Sequence, residues 1–346
     1  MTAHRSSADA LAAARSLADE GNVLAAVDAL QRTNGGADDG DIERRLVRLR
    51  SDAFAQLDRS TPSGSWPPPV PGVVADMDGL PTVAPGELTL EALRSGIFGR
   101  GCLLVPGLVP APQVDRLVAG IDRAFEGYEA QAGGAPISDT TPWFEPFSPG
   151  RGYSAGLKRK WGWEAGGVFL ADSPRVMRDL IEALTDVGLG GLIAEHFGER
   201  PALSMYKSIL RRVPAGLEQS DWHQDGAFLG EGIRVVNVWL CLSHCGRDAP
   251  GLDVVARRFD RLVESGTGGA HFKWSVGPRM VAERYGGSCV RPTFEPGDVL
   301  LFDELFLHRT ATEPEMTKDR YAIETWFFAP SAYPEDRSQV GIPLVF

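Results

Sequence analysis

The segment Trp222-His223-Gln224-Asp225-Gly226 constrains this chain more than any other. His-x-Asp on extended backbone projects two metal-ligating side chains onto one face. Two histidines and one carboxylate leave half of an octahedral Fe(II) sphere open, so a third ligand has to arrive from a distant part of the chain. His308 is the candidate. The stretch from Pro296-Gly297 through Val299-Leu300-Leu301-Phe302 to His308-Arg309-Thr310 reads as a turn followed by a mostly apolar strand with the histidine at its polar end. Polar residues around Pro314 interrupt the pattern and residues 319–328 resume it. The two runs are therefore expected to form an antiparallel hairpin with Thr310 roughly opposite Arg320. A guanidinium beside a ferrous site suits a dicarboxylate whose 2-oxoacid end chelates the metal. Taken alone, His223 and Asp225 are better explained as a hydrogen-bonded pair in a turn; His308 and Arg320, following in this order, reverse that balance.

Composition narrows the class. At 346 residues and 43% hydrophobic content the chain can bury one large core plus a small appendage. A net charge of -11 argues against nucleic acid as the main partner. Cys102, Cys241, Cys245 and Cys289 show no disulfide-framework spacing, the N-terminus lacks an apolar leader, and nothing is long enough to span a membrane. A cytoplasmic location is the default expectation. Residues 1–60 read as helices, with apolar stripes at Leu11, Ala14, Leu17 and Ala18, at Val23, Leu24, Val27 and Leu30, and at Ile42, Leu46, Leu49 and Ala53, broken at Gly21-Asn22 and Gly35-Gly36. Residues 61–82 form a Pro-rich linker. Residues 83–346 carry short strands punctuated by glycine and proline, which suggests a barrel or sandwich.

His223-x-Asp225, His308 and Arg320 together resemble the Fe(II)/2-oxoglutarate dioxygenases, specifically the phytanoyl-CoA dioxygenase family. The resemblance extends from about Leu88 to Pro330, opening with Gly101-Cys102-Leu103-Leu104-Val105-Pro106-Gly107-Leu108 before an amphipathic helix. It implies a mainly β fold with flanking helices: a double-stranded β-helix, the cupin-like jelly roll, preceded here by the small helical segment. It also implies that His223, Asp225 and His308 bind Fe(II), that Arg320 pairs with the distal carboxylate of 2-oxoglutarate, and that Thr310 supplies a hydroxyl to the same group. Met205 and Trp239 fall near positions lining the cosubstrate pocket, and Gln224 is a further contact. A lysine serving cosubstrate or substrate is one of Lys158, Lys160 and Lys207. The implied reaction consumes O2 and 2-oxoglutarate, releases succinate and CO2, and hydroxylates or otherwise oxidises an unactivated C–H bond of a small molecule. Related halogenases replace the carboxylate ligand with a small residue, so Asp225 favours hydroxylation. One departure lies at Pro250-Gly251-Leu252-Asp253, where the Gly-Leu half of a family segment is kept but its turn is not; Arg257 and Arg258 follow, which bears on the substrate.

Other features have plainer readings. His4 belongs to a mobile terminus, His196 to a helix surface, and His271 to a Gly-rich loop. Cys241, His244 and Cys245 lack the second half of a zinc site and read as core and turn residues. Lys158-Arg159-Lys160 with Trp161 and Trp163 is a solvated face, with an anion-binding role as the sharper alternative. Trp143, Phe144, Phe147, Tyr153, Trp161, Trp163 and Phe228 suit either a pocket wall or the core. Two other functions stay open at this point. One is a non-oxidative metal-dependent isomerase or hydrolase, which leaves Arg320 without a task. The other is a catalytically silent jelly-roll protein whose helical N-terminus binds a partner. Oligomeric state is not legible.

Overall fold

Val235 to Cys241 is buried at every position, and its side chains divide by parity between two cores. Val236, Val238 and Leu240 meet a layer of helices, whereas Val235, Trp239 and Cys241 face the opposite side. A strand covered on both faces reads as a continuous apolar run, so Asn237 within it is conspicuous. The computed structural model describes residues 7–34, 38–62, 64–70, 72–77, 79–150, 153–217, 221–230, 232–336 and 338–346. His4 and the Gly35-Gly36 break lie outside the described residues.

Among the described residues the strands run, in chain order, β1 (Asp76–Met77), β2 (Leu80–Pro81), β3 (Cys102–Val105), β4 (Gly167–Phe169), β5 (Ala202–Val213), β6 (Val235–Cys241), β7 (Gly251–Val255), β8 (Cys289–Val290), β9 (Val299–Phe302), β10 (His308–Ala311), β11 (Arg320–Phe328) and β12 (Pro343–Val345). The large sheet has the order β12-β5-β11-β6-β9-β3, with β4 paired on β5; the smaller one is β10-β7-β8. All pairings within the two sheets are antiparallel. The chain is a double-stranded β-helix, and its two sheets face each other across the interior. Helices Ala111–Ala132, Pro174–Asp186 and Leu189–Phe197 cover the outer face of the large sheet, burying Leu117, Ile121, Leu180, Leu184 and Ile193.

Three local expectations need correction. The apolar run ending at His308 is two strands, because the Asp303 carboxylate accepts the Leu305 N–H at 3.0 Å and turns the chain after β9. Next, β10 and β11 do not form a hairpin: β10 pairs with β7, whereas β11 lies between β5 and β6 in the other sheet. The segment between them crosses from one sheet to the other, the usual route of a jelly roll. Finally, His196 is buried, not on a surface, in an aromatic cage of Trp66, Phe98 and Phe197.

The N-terminal helices are Ser7–Asp19, Val23–Asn34 and Gly40–Ala53. Asp39 caps the third, accepting the N–H of Asp41 at 3.0 Å and of Ile42 at 3.1 Å. This helix packs on Pro174–Asp186 and β12. Glu43, fully buried, accepts a hydrogen bond from Arg175 Nε at 2.6 Å, and buried Arg50 donates to the Val345 carbonyl at 2.6 Å.

Candidate functional site

The interior between the sheets holds a cavity of about 400 Å³. Strand parity determines what faces it. On β11, Arg320 and Glu324 lie on one side; Glu324 is opposite Trp239 of β6, and Trp326 is opposite Asn237. On the other sheet His308 and Thr310 share a face with Leu252 of β7. Arg320, Glu324, Trp239, Asn237, His308, Thr310 and Leu252 all line the cavity, as do Lys207 and Arg211 of β5.

His223 enters as an edge of the small sheet. It forms a two-way bridge with His308, His223 N–H to His308 O at 2.9 Å and the reverse at 3.1 Å, so the two imidazole centroids lie 4.5 Å apart. Each ring has its Nδ1 on a backbone carbonyl, His223 on Asp221 at 2.9 Å and His308 on Phe306 at 3.0 Å. A carbonyl only accepts, so both Nδ1 atoms carry the proton and both Nε2 lone pairs face the cavity. Asp225 does not continue an extended segment as the sequence suggested; it has φ -61 and ψ -27 and opens the short helix Gly226–Leu229. The carboxylate still arrives beside the histidines, with Asp225 Oδ2 at 3.7 Å from His308 Nε2. The turn is tight at Gly226, where a Cβ would lie 3.0 Å from a Leu262 methyl and 3.2 Å from the Glu304 carbonyl oxygen, so a larger residue requires these neighbours to give way.

One ligand atom from each of His223, Asp225 and His308 falls within 4.8 Å of the other two. Asp225 Oδ2 is buried and has no hydrogen-bond partner among the described residues. An orphaned carboxylate oxygen beside two imidazole lone pairs is costly unless a cation fills the gap. Two nitrogens and one carboxylate on one side of an otherwise open site suit Fe(II). Burial, reinforced by the neighbouring His308, pushes His223 down to about 4, which keeps the imidazole in its ligating neutral form.

Across the cavity Arg320 is buried, donates from Nη1 to the Gly251 carbonyl at 3.0 Å, and leaves Nε without a partner among the described residues. Its guanidinium lies 5.8 Å from the Trp239 ring centroid. Burial pushes its pKa down. Such a cation calls for a carboxylate. Nearby, Arg211 pairs with Glu324 at 2.9 Å. Burial works against ionisation of Glu324, but Arg211 and then Lys207 overcome it and hold the group at about 2.

Two expected contacts are not brought into the cavity. Met205 is in the core under the helices because β5 bulges: Thr325 pairs with Ser208 but Phe327 pairs with Leu203, which reverses the parity of Met205 relative to Lys207. Gln224 points away from its neighbours, donating to the Leu305 carbonyl at 2.6 Å and accepting Val263 N–H at 2.7 Å, so it ties loops together behind the site. Of the seven aromatic candidates only Phe228 lines the cavity. Phe144 and Phe147 are core, Trp163 stacks on Tyr128 at 4.2 Å, and Trp161 is exposed. The basic run does not line the cavity: Lys158 donates to Gln339, itself a lining residue, while Arg159 pairs with Asp172 and Lys160 with Glu164. Arg257 lies over Phe259 and Arg258 pairs with Asp303, both away from the cavity. Cys241 and Cys245 are buried with sulfurs 3.7 Å apart, and His244 is paired with Glu295 on the surface.

Sequence reasoning missed Arg211, Asn237, Glu324 and Trp274. Glu324 was accessible to it, since a residue four after Arg320 on a strand shares its face. Trp274 was not: it comes from an irregular loop fastened by Asp221, whose carboxylate accepts Ser275 Oγ at 2.6 Å and His271 N–H at 2.8 Å.

The family model for phytanoyl-CoA dioxygenase matches residues 99–314. Solved structures with a similar fold include EctD from S. alaskensis with 2-oxoglutarate and 5-hydroxyectoine, at 19% identity and a TM-score of 0.44 over 67% of this chain and 73% of that one. The non-heme alpha ketoglutarate dependent carbocyclase SnoK from nogalamycin biosynthesis aligns at 15% identity and a TM-score of 0.45, covering 71% and 86%. The epimerase SnoN, in complex with Fe3+, alpha ketoglutarate and nogalamycin RO, aligns at 16% and 0.40, covering 66% and 79%. No match was found among curated proteins. No helix among the described residues is long and apolar enough to cross a membrane.

Proposed function

The chain belongs to the phytanoyl-CoA dioxygenase family, and from that premise we propose that it is an Fe(II)- and 2-oxoglutarate-dependent dioxygenase that hydroxylates, or otherwise oxidises, an unactivated C–H bond of a small molecule. The observation that carries this reading is the pairing, in one cavity, of the His223, Asp225 and His308 donor set with the partner-seeking cation Arg320. Iron with 2-oxoglutarate supplies the O2 activation, with succinate and CO2 as coproducts. The protein supplies position, charge and exclusion of water.

His223 and His308 would present Nε2 to the metal, each held in that tautomer by its Nδ1–H bond to a main-chain carbonyl. Asp225 adds the charge. Arg320 would grip the far carboxylate of 2-oxoglutarate, Thr310 faces it from the opposite sheet, and Trp239 and Phe302 line the cavity with them. Arg211 and Glu324 neutralise each other, so neither competes for the cosubstrate.

The test is anaerobic titration of the metal-free protein with Fe(II) and 2-oxoglutarate, following the visible charge-transfer band of the chelate, in wild type and His223→Ala. The band is expected in wild type alone. Its absence from folded wild-type protein would refute the assignment.

A further inference from the structure

Lys207 is the one lysine among the three sequence candidates that lines the cavity. Its side chain is half-buried, and its ammonium lies 3.9 Å over the centroid of Phe228, within the electrostatic reach of Asp225 and Glu324. No hydrogen bond or carboxylate within 4 Å engages it among the described residues, because Glu324 is taken by Arg211 and Asp225 faces the histidines. Phe228 in turn meets Trp274 edge-on at 5.6 Å, and Trp274 meets His223 at 5.8 Å. A cation therefore stands at the end of an aromatic wall that begins at the candidate metal centre.

Charge accounting distinguishes its role from that of Arg320. With the proposed cofactors in place, a ferrous ion and Asp225 together carry one net positive charge and Arg320 a second. The two carboxylates of 2-oxoglutarate balance both. Arg211 and Glu324 cancel, and Lys207 is left over. A half-buried ammonium held by a ring face and by second-neighbour carboxylates alone retains its full hydrogen-bonding capacity for an incoming anion.

We propose that Lys207 is a specificity-determining residue that binds an anionic group, a carboxylate or phosphate, on the substrate, whose apolar body lies against Phe228 and Trp274. This rests on the dioxygenase reading above and deepens it by naming the substrate class. Lys207 is absent from the metal donor set and its strand differs from those of Arg320 and Thr310. Loss of its charge therefore affects the substrate and leaves the cosubstrate in place.

The experiment is calorimetric binding to protein loaded anaerobically with Fe(II) and 2-oxoglutarate. The probes are phenylacetate and phenyl phosphate, compared with uncharged phenylacetamide and benzyl alcohol. Wild type is expected to prefer the anions by on the order of tenfold to a hundredfold, the scale of a charge-assisted hydrogen bond. Lys207→Met should abolish the preference while binding 2-oxoglutarate as wild type does, and Lys207→Arg should keep it. Equal binding of charged and neutral probes by wild type overturns the proposal, as does an anion preference that survives in Lys207→Met. A Lys207→Met protein that has lost 2-oxoglutarate affinity overturns it in favour of a cosubstrate role. Wild type that fails to bind 2-oxoglutarate at all defeats the dioxygenase reading itself.

Discussion

His196 shows how burial alone can set a residue's behaviour. Both ring nitrogens are buried without a hydrogen-bond partner among the described residues, and the ring packs among Trp66, Phe98 and Phe197. Burial, with some help from Arg94, pushes its pKa down to about 3 from an ordinary 6.5. The sign of the consequence follows from proton counting. Below 6.5 the unfolded chain binds a proton that the folded chain refuses until about 3, so folding becomes less favourable as pH falls through that window. Between pH 7 and pH 5 the loss is about 2 kcal/mol. His196→Phe, which preserves the ring and removes the titration, should flatten the pH dependence of the urea midpoint over that range by a corresponding amount. An unchanged slope would show that His196 is protonated or solvated in the folded protein. The mistaken surface reading has a clear source: Glu195 and His196 look polar together in the sequence, but only the tertiary fold reveals that Trp66 closes over the imidazole.

At the scale of elements, strand parity made much of the site legible and its interruptions hid the rest. His308 and Thr310 share a face, and Arg320 and Glu324 share another, because both pairs lie on uninterrupted strand; Trp239 faces the cavity for the same reason. The failures mark places where the ladder breaks. The β5 bulge removes Met205 from the cavity, and the Asp303 turn sends β9 and β10 into different sheets, so Thr310 and Arg320 meet face to face across the interior and not along a hairpin. A bulge has no sequence signature strong enough to read from a single chain, whereas Asp303-Glu304 inside an apolar run was a usable warning. The short helix Gly226–Leu229 is the element on which the candidate centre depends, since it carries Asp225 back toward both histidines. Gly226→Ala forces a Cβ against Leu262 and the Glu304 main chain. The far-UV circular dichroism should be unchanged while Fe(II) affinity falls about tenfold or more, the scale seen when support of a ligand is lost. Wild-type affinity in the variant would mean that the helix yields without moving the carboxylate.

For the whole molecule, the question is whether the N-terminal helices fold with the barrel or beside it. The interface is not a thin polar seam. Glu43 is fully buried and serves Arg175 Nε at 2.6 Å, Arg178 lies 3.6 Å from the same oxygen, and Asp38 reaches both arginines at about 3 Å. Burial raises the pKa of Glu43, and Arg175 and then Arg178, both on helix Pro174–Asp186, oppose that rise. Arg50, also buried, is anchored on the main chain of β12 and on Gln31. Groups like these tolerate burial only when both sides are assembled, which couples the first helices to the barrel. Sequence composition alone could not show this, because the Pro-rich stretch at 61–82 suggests separation, whereas Trp66 within it packs edge-on against Phe98 at 5.5 Å. We therefore expect urea to unfold the chain in a single transition seen alike by tryptophan fluorescence and circular dichroism. Glu43→Ala should lower stability by about 2–4 kcal/mol, less than for an isolated pair because Asp38 and Asp179 still hold the arginines. The Fe(II) and 2-oxoglutarate band should persist in the folded variant. Two separate transitions in wild type, or a Glu43→Ala protein as stable as wild type, would mean that the helices are an independent unit resting on the barrel.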